Sequence, residues 1–166
     1  MTTRKQAIGI LALGALAALA VTLASGYAPA QAPSAAKAID PMSPVGVWTT
    51  IDDNTGKPKS LIRIWEKGGK IYGTIAKLIN PKDGNPNPMC DKCPGALKDK
   101  PILGMTIMKG LFRDGDEWSG GTILDPESGS TYKVYVEVLE GGKKLKVRGY
   151  VGIALLGRTQ YWIRAR

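Results

Sequence analysis

From residue 131 to residue 151 the chain alternates apolar and polar positions with a period of two. Tyr132, Val134, Val136 and Val138 fall on one face, opposite Lys133, Tyr135 and Glu137. After Gly141-Gly142 the pattern resumes, with Leu145, Val147, Gly149 and Val151 opposite Lys144, Lys146 and Arg148. Side chains on a strand point alternately to the two faces of a sheet, so this pattern predicts two antiparallel strands with one dry and one wet face. A short apolar link, residues 151–157, leads to a last alternating run, in which Arg158, Gln160, Trp162 and Arg164 share one side and Thr159, Tyr161 and Ile163 the other.

The same reading works upstream. Turn signals at Asp52-Asp53-Asn54-Thr55-Gly56, Gly68-Gly69, Asp114-Gly115-Asp116 and Asp125-Pro126-Glu127-Ser128-Gly129 separate short runs of strand-type residues. They predict eight strands, at 46–51, 61–66, 70–79, 105–112, 117–124, 131–139, 143–150 and 158–165. Only residues 80–104, rich in Pro and Gly and holding both cysteines, form a long connection. Beyond the first thirty residues no window has a helical period. Eight strands joined mostly by tight turns predict an all-β fold, a single antiparallel up-and-down barrel whose last strand meets its first. Gly73, Gly110, Gly120 and Gly149 lie inside strands, where glycine permits the bends that closure requires. An eight-stranded barrel is either filled by side chains or holds one small ligand.

The first thirty residues read differently. Arg4-Lys5 precedes an uncharged apolar run from Ile8 to Ala24, and Ala28-Pro29-Ala30 and Ala30-Gln31-Ala32 each put small residues at the positions before a cleavage point. That is the form of a secretory signal peptide. The run is close to the shortest stretch that spans a bilayer, but its Ala and Gly content favours cleavage over a stable transmembrane anchor. The expectation is a signal peptide over 1–30, a disordered Ala-, Pro- and Ser-rich lead-in over 31–44, a barrel domain over 45–166, and a periplasmic or secreted location. Removing Arg4 and Lys5 takes the net charge from +9 to +7.

There are no histidines among the 166 residues, which excludes His-based nucleophile pairs, general bases and metal sites. Clustered acids could in principle work as a pair on a glycosidic bond, but all fall at predicted turns, where Asp is used for turn geometry. The expectation is no catalytic residue, no cofactor and no metal. Cys90 and Cys93, three residues apart in a chain expected to be exported, predict a local disulfide; no βα setting is present that would activate a thiol. Lys144, Lys146 and Arg148 form a basic stripe, with Tyr135 on the neighbouring strand, suited to an anionic component of the cell envelope; export argues against nucleic acid as the natural partner. Arg158, Gln160 and Trp162, together with Trp48, are the candidate ligand contacts, since a few polar groups directed into an apolar barrel orient a ligand.

Gly46-Val47-Trp48, opening the first strand, is similar to the Gly-x-Trp signature of lipocalin-like barrels. The residues 118–126 (Trp-Ser-Gly-Gly-Thr-Ile-Leu-Asp-Pro), 146–150 (Lys-Val-Arg-Gly-Tyr) and 157–162 (Gly-Arg-Thr-Gln-Tyr-Trp), with 101–104 (Pro-Ile-Leu-Gly), resemble the secreted bacterial family called domain of unknown function 2147 over residues 45–166. The resemblance implies a lipocalin-like or calycin-like barrel in an exported protein, and no established activity. It also implies that Trp48 packs across the closed end of the barrel near a basic residue of the last strand, Arg158 or Arg164. Some members carry cysteines near the last two strands, where this chain has Tyr150 and Gly157. The function expected is binding of a small apolar or amphiphilic ligand, with two alternatives: an envelope interaction protein using the basic face, or an enzyme of unrecognised type.

Overall fold

The computed structural model describes residues 40–165. Eight strands form one closed antiparallel barrel in sequence order: β1 (Gly46–Ile51), β2 (Pro58–Lys67), β3 (Lys70–Leu78), β4 (Thr106–Asp114), β5 (Glu117–Asp125), β6 (Ser130–Leu139), β7 (Lys144–Tyr150) and β8 (Gly157–Arg164). The strands follow the alternation and the turn signals closely. The expected signal peptide and the expected lead-in up to residue 39 lie outside the described residues. Residues 40–44, expected to be part of a disordered lead-in, are instead seated on the barrel: Pro44 is fully buried and its carbonyl accepts a 2.7 Å hydrogen bond from the Trp48 indole.

The dry face of each strand becomes the barrel interior. Val134, Val136 and Val138 of β6, and Leu145 and Val147 of β7, are buried with Ile62, Ile64, Ile71, Met108 and Leu111 from the far wall. Removing such side chains from water stabilises the fold by roughly 1.5–3 kcal/mol each. Val151 departs from the expectation. The β7 ladder ends at Tyr150, so Val151 leaves the sheet and is 66% exposed.

Antiparallel connection sorts the loops onto two ends. The 68–69, 115–116 and 140–143 turns share the end where β1 begins and β8 finishes. The 52–57, 79–105, 126–129 and 151–156 segments share the other. Two glycines of β5 let β4 come close. Gly120 has φ +75°, and a Cβ on Gly121 would lie 2.4 Å from the Lys109 carbonyl oxygen, so the ladder tolerates no larger residue there.

Closure is the weakest part of the sheet. β1 and β8 pair through Trp48 with Arg164 and Thr49 with Ile163, and Ala165 donates its N–H to the Val47 carbonyl at 2.9 Å. Towards the long-loop end the two strands share no further ladder pair. β8 remains fully laddered to β7 on its other side, from Gly157 to Ile163.

Candidate functional site

The short-turn end is sealed. Trp48 is completely buried, and the Arg164 guanidinium lies over its ring, 4.2 Å from the centroid. The same guanidinium donates to the carbonyls of Val45 (3.1 Å), Ser43 (2.8 Å), Pro41 (3.1 Å) and Gly142. Burial lowers its pKa, but a guanidinium is charged at any working pH. Of the two arginines open to this role, Arg164 takes it because β8 runs towards the sealed end and Arg158 sits at its opposite end. Trp48 is thereby a plug residue, and it is not part of the cavity wall.

The long-loop end is open. A cavity of about 1560 Å³ descends between the loops into the barrel. Its deeper wall is apolar, built from Ile62, Ile75, Ile107, Ile123, Val147 and Trp162. The volume exceeds the roughly 300–1,000 Å³ of ordinary ligand sites because it takes in the funnel between the loops. Thr50 and Ser60 are the buried polar side chains of the wall, and their hydroxyls bond each other at 2.7 Å. No buried side-chain nitrogen or oxygen among the described residues lacks a partner.

Polar groups collect at the rim. Gln160 accepts from the Trp162 indole (3.3 Å) and donates to the Asp53 carboxylate (2.9 Å), which also pairs with Arg158. This chain crosses from β8 to the turn after β1, above the point where their backbone pairing stops. Lys59 bridges Glu127 (2.8 Å) and Asp52 (3.7 Å) on the neighbouring part of the rim. Arg158, Gln160 and Trp162 thus gather at the cavity, as placed by the alternation of β8. Asp53 was not foreseen as their partner, because its turn sequence reads equally well as turn chemistry alone.

Residues 46–164 match a family described as uncharacterized protein conserved in bacteria, DUF2147. The chain belongs to the DUF2147 family. Among solved structures it is similar to a protein from Helicobacter pylori, titled "Protein HP1028 from the human pathogen Helicobacter pylori belongs to the lipocalin family". The two share 23% sequence identity, with a TM-score of 0.61 over 74% of this chain and 82% of the other. At that identity the likeness establishes the fold, a lipocalin-like barrel. No curated protein matches the sequence.

The basic stripe of this DUF2147 barrel lies on its outer wall and is largely occupied by its own sheet. Lys146 pairs with Glu137 at 2.9 Å and sits 5.2 Å over the Tyr135 ring; the hydrogen bond to Glu137 is the main cause of its raised pKa. Lys144 pairs with Glu140 and lies 5.7 Å over Tyr161. Arg148 directs its donors to Thr159 and to two carbonyls of the 151–156 loop. Cys90 and Cys93 form the expected disulfide, buried within the long 79–105 segment. Next to it, a Cβ on Gly129 would lie 1.9 Å from the Lys92 carbonyl oxygen, so the disulfide segment rests directly on the 126–129 turn. No group of three or more acids and cysteines among the described residues is placed to hold a metal ion.

Proposed function

We propose that this barrel is a non-enzymatic binding protein for one small apolar or amphiphilic molecule, acting in a periplasm or outside the cell. The observation that carries the reading is the cavity: sealed at the Trp48 end, open at the loop end, with an apolar wall whose buried polar atoms are already paired. Such a wall offers an entering molecule mainly apolar contact. A ligand's polar part belongs at the rim, within reach of Lys59, Arg158 and Gln160. The lipocalin-like fold and the leader-like first thirty residues support the same assignment.

Native mass spectrometry of the protein purified from the cells that make it tests this directly, with denaturation to identify whatever is released. A stoichiometric lipophilic adduct is the expected result. A bare polypeptide mass, unchanged after incubation with fatty acids and phospholipids, overturns it. N-terminal sequencing of the exported fraction is expected to begin at Gln31 or Pro33, the residues after the two candidate cleavage points. Recovery of an uncleaved chain in the cytoplasm would remove the location from the proposal.

A further inference from the structure

The 151–156 loop at the mouth keeps its aliphatic side chains in water. Val151, Ile153, Leu155 and Leu156 are 66%, 60%, 82% and 73% exposed. A soluble protein rarely gathers apolar side chains on one exposed patch without a partner to cover it. The loop is not slack. The Arg148 guanidinium, on the outer wall of β7, donates to the Ala154 carbonyl at 2.7 Å and the Leu155 carbonyl at 3.0 Å, while also bonding the Thr159 hydroxyl at 2.7 Å. Those bonds tie the loop backbone to the outside of the barrel and oppose its folding inward as a plug.

Three further features select the partner. No charged residue lies between Arg148 and Arg158, so one guanidinium stands at each root of an uncharged segment. That order leaves the aliphatic side chains to enter the acyl boundary of a lipid interface, while the guanidiniums hold the roots of the loop, Arg148 through the loop carbonyls and Arg158 through Asp53. The patch is also continuous with the cavity, because Val151, Leu155 and Leu156 line its mouth as well as facing solvent. Finally, four aliphatic side chains on one short loop offer far less than the about 800 Å² per partner that a stable protein–protein interface buries.

We propose that the 151–156 loop docks the barrel mouth onto a lipid bilayer, its aliphatic side chains entering the acyl boundary. Docking needs the loop and not an occupied cavity, so it stands or falls separately from the ligand reading.

The test uses the processed protein as its cells release it, with phosphatidylcholine vesicles, and again with vesicles containing one-third phosphatidylglycerol. Leu155→Trp places a reporter in the loop. Its emission is expected to shift to the blue on adding vesicles and to be quenched by lipids brominated on their acyl chains, beyond any change in the wild-type protein. The double variant Leu155→Ser/Leu156→Ser is expected to lower vesicle partition about tenfold or more. Ile163→Ser, which removes an exposed aliphatic from the barrel wall, is expected to leave it unchanged. An introduced indole that is neither shifted nor quenched overturns the proposal. So does a double variant that floats with vesicles as well as wild type. A wild-type dimer that the double variant abolishes, without vesicle binding, would assign the patch to a second copy and equally overturn it. Native mass spectrometry of the double variant separates the two readings: a retained adduct with lost vesicle binding leaves the ligand reading intact.

Discussion

Arg164 shows how much one side chain can organise. It closes the barrel end by stacking on Trp48, and its planar fork satisfies four carbonyls from two separate segments, the 41–45 stretch and the turn at Gly142. Arg164→Met would keep much of the apolar stem and orphan those carbonyls. The expected cost is about 2–4 kcal/mol in urea denaturation. Arg164→Lys should recover less than half of that, since an ammonium cannot reach the same set in a fixed plane. Full recovery by lysine would show that charge alone matters. The alternation of β8 put both Arg158 and Arg164 on the inward side and could not choose between them; the choice depends on which end of the barrel each occupies, which is a matter of topology. A second single-residue effect lies at Asp52. The backbone N–H of Thr55 (2.9 Å), then its hydroxyl (3.0 Å), then the Asn54 N–H hold this carboxyl below its ordinary value of 3.8. A folded value below the unfolded one contributes stability that is present above the ordinary value and is lost as pH falls through the folded value. With no histidine in the chain, the denaturation midpoint should be flat across about pH 5–8 and fall only below about pH 4. A clear slope between pH 5 and 8 would contradict this.

At the scale of elements, the strands were the most legible part of the chain. β6 and β7 bury one face against a single core, so hydrophobic alternation and pairing coincide, and Gly-containing turns mark their ends. The seam between β1 and β8 was not legible. Sequence pattern says that a barrel must close, but not over how many residues, because ladder length depends on how the strands splay around the opening. Here the backbone ladder stops short of the rim, and side chains continue it through Asp53 with Gln160 and Arg158. Both partners of that ion pair are well exposed, at 67% and 37% of the side chain, so it adds little to global stability. Its effect belongs to local opening. Asp53→Ala is expected to change the denaturation free energy by less than about 1 kcal/mol. The same variant should speed amide exchange in the half of β8 nearest the mouth, leaving β6 unchanged, and should accelerate loss of a bound fluorescent fatty acid. Unchanged exchange in residues 157–161 would show that the seam holds without the side-chain bridge.

For the whole molecule, the two ends of the barrel follow from one connectivity rule with different chemistry. Trp48 and Arg164 seal one end, while the four loops at the other leave it open. The candidate contacts on β8 were visible because an arginine, a glutamine and a tryptophan alternate where apolar residues would be expected. The rest of the wall was not, since Ile62, Ile75, Ile107, Ile123 and Val147 have the same signature whether they pack into a solid core or line a cavity. Only the balance between summed side-chain volume and barrel diameter separates those cases, and that balance is a property of the closed sheet. The distinction can be tested by filling the space. Ile123 is only partly buried and faces the cavity next to Gly149, where its side chain comes within 3.8 Å of a Cβ built at that glycine. Ile123→Trp adds an aromatic ring with room to enter an open interior. In a hollow barrel the variant should fold with a stability within about 1 kcal/mol of wild type and bind a fluorescent fatty acid at least about tenfold more weakly. In a barrel whose interior is already packed, the same indole would cost about 1–3 kcal/mol through forced rotamers and backbone shifts. Urea denaturation and ligand titration on one variant therefore report, independently, whether the space exists and whether it is where the ligand sits.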